Sequence, residues 1–317
     1  MLDINAEIAK LNWNREPIGL FAPIAYVLEA GGKRIRPTLA LAAAQLYDGD
    51  ERKTLPVALA LEIYHNFTLL HDDVMDKAPV RRGRPTVHVR WDENTAILSG
   101  DQMMTEAYTQ LEQVEPALLP RVLTIYNRMT TDIFRGQQMD MDFEKREEVS
   151  LDEYLEMIRL KTSVLLGAAL QLGGLTARAP ESDLPLLRQI GEHIGLAFQI
   201  QDDVLDVWGD ENTFGKRIGG DIVQNKKSIV QILALSQADE NQRLALKGWL
   251  HRKEFIEEVK IREVTRLYDE IGVRRECELR LEAFTELAID EIARLSVPEE
   301  KKEIIRGIAR QLLNRKN

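Results

Sequence analysis

The chain has 317 residues, of which 44% are hydrophobic, 30% are charged and only 6% are aromatic. This composition allows a substantial core, and the net charge of −10 argues against a partner nucleic acid, whose binding depends on clustered Lys and Arg. The single cysteine, Cys277, excludes an intramolecular disulfide and favours a reducing, cytoplasmic location, with the thiol as a buried bystander. The first residues lack a signal-peptide pattern, and no apolar run approaches the roughly 20 residues of a membrane-spanning helix, so we expect no stable membrane insertion.

Helical periodicity runs through the whole chain. Leu, Ala, Glu, Ile and Arg recur at helical spacing, and alternating runs of β-branched residues are few. Short breaks rich in Gly, Asp and Pro separate helical segments of roughly 15 to 25 residues, which is long for a globular protein. The sequence therefore predicts an all-α fold, with residues 1–317 forming a single domain that is one large helical bundle with a central active-site cavity.

The first basic segment, residues 30–37, reads AGGKRIRP. Lys33 and Arg36 are three residues apart, so they share a face if a helix begins here. The two glycines resemble a phosphate-binding loop only superficially, because the Walker pattern is absent.

The predicted helix over residues 56–76 ends in an acidic motif of the form D-D-x-x-D, formed by Asp72, Asp73 and Asp76. On a helix this spacing directs two or three carboxylates to one side. The loop that follows, residues 78–85, carries three arginines within four positions, and guanidinium groups match phosphate oxygens. Taken alone, these arginines are equally compatible with simple neutralisation of the aspartates.

The predicted helix over residues 184–208 ends in a second copy of the motif, formed by Asp202, Asp203 and Asp206. A glycine-rich loop with Lys216 follows, and Lys226 lies in the next basic run. Gly191 and Gly195 are four residues apart, which permits close packing against another helix. Two facing aspartate clusters of this kind would suit several Mg²⁺ ions around one diphosphate.

The joint arrangement of these clusters predicts Mg²⁺-assisted handling of diphosphates. A metal ion neutralises charge on a leaving diphosphate, and Arg and Lys stabilise the charge that develops. The sequence suggests no Ser/His/Asp triad, and the spacing of its histidines does not fit a zinc site.

The motifs and their order resemble the trans-isoprenyl diphosphate synthases, the polyprenyl synthetase family that includes farnesyl and geranylgeranyl diphosphate synthases. The motifs that carry this resemblance lie between about residue 23 and residue 227. In chain order they are GGKRIRP, HDDVMD with RRGRPT, GQQMD, KTS at 161–163, and FQIQDDVLD followed by GKRIGGDI and NKKS. The resemblance implies a homodimeric prenyltransferase that condenses isopentenyl diphosphate head-to-tail (1′-4) with an allylic diphosphate. The allylic substrate would be dimethylallyl, geranyl or farnesyl diphosphate.

The resemblance also implies a role for each motif residue. Three Mg²⁺ ions would be bound directly by Asp72, Asp76 and Asp202, with Asp73, Asp203 and Asp206 in support. The allylic diphosphate would contact Arg81, Lys161 and Lys216, with Lys226 assisting closure, while Thr162 and Gln199 would face the allylic cation. Isopentenyl diphosphate would lie on Lys33, Arg36, His65 and Arg82, where His65 shares the helical face of Asp72. Gln137 and Asp140 match a family site near the metals.

Two aromatic residues precede the first motif and bear on product length. Phe67 lies about 7.5 Å and Tyr64 about 12 Å before Asp72 along a helix axis. They are either ordinary core aromatics or the floor of a tunnel that stops chain growth. The resemblance to archaeal-type geranylgeranyl synthases, with an aromatic residue five before an uninserted motif, implies a C20 product, with the C15 product of a farnesyl synthase as the alternative.

Three other functions share part of this pattern. A class I terpene cyclase would replace the second motif with an Asn/Ser/Glu-type metal site, and a non-catalytic synthase subunit would lose one or both motifs. The intact Asp202, Asp203 and Asp206 argue against both. A helical protein that merely binds metal is the third alternative.

Overall fold

In a computed structural model, which describes residues 1–209 and 218–313, helices dominate the chain. The first half contains α1 (Ile4–Ile8), α2 (Ile18–Glu29), α3 (Ile35–Leu46), α4 (Glu51–Met75), β1 (Val80–Arg81), β2 (Arg84–Pro85), α5 (Val87–Arg90), α6 (Glu93–Leu111) and α7 (Leu119–Glu144). The two short strands form an antiparallel hairpin. The predicted all-α fold is confirmed.

The second half continues the helical pattern. It contains α8 (Leu151–Ile158), a π-helical turn (Arg159–Ser163), α9 (Val164–Thr176), α10 (Asp183–Trp208), α11 (Gly220–Gln224), α12 (Ile229–Gln237), α13 (Glu240–Leu250), α14 (Glu257–Ile271), α15 (Val273–Ala293) and α16 (Glu299–Leu313). Among the described helices, none is both long and apolar enough to cross a membrane.

The chain divides into two compact units. The first comprises Met1–Asn127, Ala168–Leu187 and Ser296–Ile305, and the second comprises Arg128–Gly167, Arg188–Leu295 and Arg306–Asn317. The first unit carries the first aspartate motif and the second unit carries the second. The single domain that we inferred from the sequence stays a prediction.

Helix α4 is the central element of the first unit. It packs against α3 and α6, and most of its residues from Val57 to Phe67 are buried, polar ones included. The helix begins at Glu51 rather than at Pro56, because the carboxylate of Asp50 caps it by accepting the N–H of Arg52 at 2.9 Å. Because α4 is buried on all sides along this stretch, its packing holds its last turn in one position.

The core of the second unit is formed by the carboxyl half of α10 together with α12, α14 and α15. Ile200, Val204, Ile229 and Val273 are buried in one apolar cluster. Cys277 lies in the same cluster, and burial raises the pKa of its thiol to about 12. The thiol is therefore neutral and structural, as its apolar context predicts.

Glycines allow several helical segments of this unit to approach one another very closely. A Cβ on Gly136 of α7 would lie 2.3 Å from the backbone nitrogen of Lys161, in the π-helical turn. A Cβ on Gly195 of α10 would lie 2.6 Å from Cα of Ser163, and one on Gly191 would lie 2.5 Å from the nitrogen of Gly167. The close packing expected at Gly191 and Gly195 is confirmed.

We expect Gly136→Ala to destabilise the protein by about 1–3 kcal/mol, because the added methyl group overlaps rigid backbone. Gly248→Ala is the matched control, since a Cβ there has no heavy atom within 4 Å. Alanine also favours a helix over glycine, so the control should be neutral or slightly stabilising. Urea unfolding of the two variants checks both, and equal stabilities would contradict the close approach at Gly136.

Candidate functional site

The first aspartate motif lies at the carboxyl end of α4. Asp72 and Asp73 belong to its last turn, and Asp76 follows the helix with φ of −83° and ψ of −5°. The N–H of Asp76 donates to the carbonyl oxygen of Asp72 at 2.8 Å, so the two residues occupy consecutive turns on one face. Asp73 is buried, Asp72 is half-buried and Asp76 is exposed.

A tight turn after this motif positions two arginines, one of which bonds the motif. Between β1 and β2, Arg82 and Gly83 have φ of +52° and +72°, which is the conformation of a type I′ turn. Positive φ is costly for a residue with a side chain such as Arg82, and residues held this way cluster at functional sites. Before the turn, Arg81 Nε donates to Asp73 Oδ1 at 2.7 Å.

The guanidinium of Arg82 lies against the glycine pair of the first basic segment. It donates to the carbonyl oxygen of Gly31 and lies 3.5 Å from Oδ1 of Asn66. A Cβ on Gly32 would lie 3.0 Å from Nη2 of Arg82, and Gly32 has φ of +139°. Glycine favours the backbone conformation at position 32, and a Cβ there would also crowd the guanidinium of Arg82.

Positive charge exceeds negative charge around His65. Burial lowers the pKa of His65 well below its ordinary value, and the charges of four arginines lower it further: Arg36, Arg82, Arg81 and Arg34. Glu62, which is buried, offsets part of this charge and pairs with Arg34 at 2.5 Å. Burial also lowers the pKa of Arg36 to about 10. Such a cluster suits an anion.

The structure thus brings together Arg36, His65 and Arg82, three of the four residues expected to bind isopentenyl diphosphate. Lys33 is exposed, three residues before Arg36. Arg34, which the sequence did not single out, is a structural residue. It is buried with φ of +48°, and it also donates to Oδ1 of Asn5 and to the carbonyl oxygen of Leu28.

The second aspartate motif lies in the last turns of α10, and three donors hold its middle residue. Asp203 is only 3% exposed. Its Oδ2 accepts the Tyr154 hydroxyl at 2.6 Å and the N–H of Ile229 at 3.0 Å, and its Oδ1 accepts Gln199 Nε2 at 3.1 Å. Burial, and then the charge of Asp221, raises the pKa of Asp203. The protein therefore fixes this carboxyl group, while Asp202 is half-buried.

Asp221 links this motif to a lysine. Its N–H donates to Oδ2 of Asp206 at 3.0 Å, and its Oδ1 lies 3.6 Å from Nζ of Lys226. Burial opposes the charge on Lys226, but four carboxylates outweigh it and raise the pKa: Asp221, Asp203, Asp140 and Asp206. Lys226 is therefore charged beside the acidic motif, as a diphosphate contact requires. Lys216 lies outside the described residues.

Lys161 and Thr162 lie in the π-helical turn, a conformation that often marks functional sites. Lys161 Nζ pairs with Oδ2 of Asp140 at 2.5 Å, and both Lys161 and Thr162 are half-buried. Gln137 is half-buried one turn before Asp140 on α7. The KTS and GQQMD motifs are thus in direct contact within the second unit.

Phe67 and Tyr64 belong to an aromatic cluster in the first unit. The rings of Tyr64 and Phe67 are 5.3 Å apart, and the rings of Phe67 and His71 are 4.8 Å apart. Tyr126 lies 5.7 Å from Tyr64, and its burial raises the pKa of its hydroxyl well above the ordinary value. This cluster is compatible with both interpretations of the sequence, ordinary core aromatics and the floor of a tunnel, because such a floor is also a layer of packed side chains.

The donor set of the two motifs fits Mg²⁺. In each motif the second aspartate is buried and bonded to protein donors, whereas the first aspartate is half-buried. Within residues 1–209 and 218–313, no three acidic, His or Cys side chains already form a metal-binding group. Mg²⁺ keeps several waters and is bound through one or two carboxylates plus substrate phosphates, so a half-buried aspartate in each motif suits it. Phosphate oxygens of the substrate would complete the coordination of a Mg²⁺ ion bound at either motif.

Two contributors to the site were missed by the sequence analysis. Asp221 had a signal, since it is an acidic residue in the GGDI run after the second motif. Tyr154 had none, because it lies 49 residues before Asp203 and only the fold joins them.

An all-α protein with two such aspartate motifs, each beside cations, is of the class that binds diphosphates through divalent metals. Residues 19–268 match the polyprenyl synthetase family, and the chain belongs to it. The predicted family and prenyltransferase class are confirmed. Prenyl diphosphate synthases use isopentenyl and allylic diphosphates, generally with Mg²⁺. The roles of the individual residues stay predictions.

Several relatives are similar over most of this chain. A geranylgeranyl diphosphate synthase of Methanosarcina mazei is 40% identical over 236 residues, covering 74% of this chain and 73% of the relative. The (2E,6E)-farnesyl diphosphate synthase of Mycobacterium bovis is 33% identical over 287 residues, covering 90% and 80%. The solved geranylgeranyl pyrophosphate synthetase of Pyrococcus horikoshii Ot3 has a TM-score of 0.92 at 30% identity, covering 99% and 95%.

The lowered pKa of His65 predicts a pH effect on stability. The unfolded chain takes up a proton on His65 below about pH 6.5, but the folded protein does not, so this residue destabilises the fold as pH falls. His65→Gln removes that contribution. We compare the free energy of unfolding of the variant with that of the original protein at each pH. We expect this difference to be more favourable to the variant at pH 5 than at pH 7.5. Urea titrations of both proteins at both pH values test this. The expectation would be contradicted if the two proteins differed in stability by the same amount at pH 7.5 and at pH 5.

Proposed function

We propose that the protein catalyses the Mg²⁺-dependent 1′-4 condensation of isopentenyl diphosphate with an allylic diphosphate, and that its main product is the C20 geranylgeranyl diphosphate. The observation that supports this best is the turn after α4. Arg81 bonds the first aspartate motif, while Arg82 joins the positive cluster around His65. One turn therefore serves an acidic site for metal-bound diphosphate and a basic site for a second, metal-free diphosphate.

The aspartates would hold the metal ions. Asp72, Asp76 and Asp202 are proposed as direct ligands of three Mg²⁺ ions. Asp73, Asp203 and Asp206 orient the ligands, because protein donors already engage these buried carboxylates. When bound, Mg²⁺ supplies neutralisation of the charge on the departing diphosphate.

The remaining residues bind and orient the two substrates. The allylic diphosphate is proposed to contact Arg81, Lys161, Lys216 and Lys226, with Thr162 and Gln199 facing the allylic carbon. Lys33, Arg36, His65 and Arg82 bind isopentenyl diphosphate, so that its double bond lies against that carbon. The allylic C–O bond breaks first and leaves a delocalised cation. The double bond of isopentenyl diphosphate then attacks this cation to form the new carbon–carbon bond, and the proton lost from the isopentenyl unit passes to the departed diphosphate.

Product length is proposed to depend on Phe67 and Tyr64. A growing prenyl chain needs an apolar space closed to water. The buried rings of Phe67 and Tyr64 would end that space. We also propose a homodimer, from the family resemblance, and a cytoplasmic location, from the single buried thiol.

Product analysis tests the proposal. The protein is incubated with Mg²⁺, isopentenyl diphosphate and either dimethylallyl, geranyl or farnesyl diphosphate, and the products are separated by chain length. A C20 product supports the proposal, and a C15 product alone would make the protein a farnesyl diphosphate synthase. Cyclic products, or no elongation in any mixture, would overturn it.

We expect Asp72→Asn and Asp202→Asn each to lower kcat by on the order of 100-fold, because each removes a metal-binding charge where the leaving group develops charge. Asp290→Asn, on the exposed surface of α15, is the control and should retain activity. Steady-state kinetics with EDTA-treated and Mg²⁺-restored protein provide the measurement. Full activity of Asp72→Asn or Asp202→Asn would contradict the assignment.

We expect Phe67→Ala to shift the products beyond C20, because removing the ring opens the proposed floor. Phe21→Ala, a buried phenylalanine of α2, should lower stability without lengthening the product. Tyr64→Ala combined with Phe67→Ala should extend the product further. Unchanged product lengths in the Phe67→Ala protein would rule out the floor.

A further inference from the structure

A buried lysine in α14 is unusual in its surroundings. Lys260 is 0% exposed, although lysine is almost never fully buried unless it is paired. Its Nζ donates to two uncharged oxygens, Oδ1 of Asn225 at 2.6 Å and the carbonyl oxygen of Val223 at 3.2 Å. The ammonium also lies 4.3 Å from the centre of the Phe255 ring. Burial lowers the pKa of Lys260.

Both acceptors of Lys260 lie at the carboxyl end of α11. Asn225 ends this short helix with φ of +56° and ψ of +34°, and its Nδ2 donates to the carbonyl oxygen of Leu250. At the other end, a Cβ on Gly219 would lie 2.7 Å from the side chain of Ile261. Neighbouring residues of α14 therefore contact both ends of α11.

This segment carries the groups that surround the second aspartate motif. Lys226 directly follows Asn225, and its N–H donates to the carbonyl oxygen of Asp221 at 2.9 Å. The N–H of Asp221 in turn donates to Asp206, and the N–H of Ile229 donates to Asp203. The position of α11 thus sets both Lys226 and the N–H of Asp221 that donates to the motif.

We propose that Lys260 is a positioning residue of the active site: by bonding Val223 and Asn225 it holds Lys226 in place to bind the diphosphate of the allylic substrate. The inference rests on the proposed diphosphate-binding role of Lys226. Without the ammonium, two buried oxygens lose their donor, which is costly enough to make the segment rearrange toward water. Lys226 would then lose its fixed position beside the carboxylates.

The first test is the affinity for inorganic diphosphate in the presence of Mg²⁺, measured by titration calorimetry. Lys260→Met keeps the length of the side chain and removes the donors. We expect binding to weaken by about 10-fold or more, as for other residues that orient ligand groups. We also expect KM for the allylic substrate to rise while KM for isopentenyl diphosphate stays within about two-fold, since the His65 cluster is untouched.

Matched variants separate positioning from general stability. Lys302→Met removes another buried lysine, 6% exposed and paired with Glu299 at 3.3 Å, and should leave diphosphate binding unchanged. Lys260→Arg restores donors and should recover part of the affinity. If Lys260→Met does not fold, Asn225→Gly tolerates the positive φ and removes one acceptor, so it should weaken binding in the same direction.

A double-mutant cycle with Lys226→Met provides the decisive comparison. If Lys260 acts through Lys226, Lys260→Met adds little further loss of diphosphate affinity in the Lys226→Met protein. Additive losses, or unchanged binding in folded Lys260→Met, would overturn the inference. Weakened diphosphate binding in a protein that elongates no prenyl chain would refute the proposed function while supporting the role of Lys260.

Discussion

Burial of the middle aspartate in each D-D-x-x-D motif is the constraint on which the rest of the site depends. A buried carboxylate is costly unless the protein bonds it, and the two motifs meet this requirement differently. Asp73 pairs with Arg81, a charged residue of the neighbouring turn. Asp203 instead accepts three uncharged donors from three different segments. The first motif is therefore coupled to one local turn, and the second to the wider packing of its unit.

Each of the two units carries a cluster with an excess of charge of one sign, positive in the first unit and negative in the second. The four arginines around His65 exceed the nearby buried carboxylates of Glu62 and Asp73, while the four carboxylates around Lys226 exceed its ammonium charge. Repulsion within each cluster opposes folding rather than stabilising the protein. If the clusters bind a diphosphate and a metal–diphosphate complex as proposed, binding would reduce both imbalances, and part of the binding free energy would come from relief of repulsion.

The sequence predicted those parts of the site that follow from helical spacing and from residue type. The last turns of α4 and α10 carry the carboxylates as expected, because a strict period determines which residues share a face. It selected Lys33 and Arg36 from one basic run but did not predict that Arg34 between them is a buried structural residue, because that role depends on backbone conformation and on distant partners. The π-helical turn was missed for a similar reason, because one extra residue in a helical turn leaves no periodic signal. The burial of Lys260 was not predicted either, because this residue lies in a charge-rich region and its burial depends on partners distant in sequence.

The pairing of Lys161 with Asp140 bears on which anions the site accepts. An ammonium group that already has a carboxylate partner gains nothing from a weakly charged ligand, because one ion pair merely replaces another. A ligand of higher charge density, such as a diphosphate with its metal ions, gains more from the exchange than Asp140 loses. If Lys161 binds the allylic diphosphate as proposed, its pairing with Asp140 would disfavour singly charged anions and monophosphate esters and would select ligands by their charge.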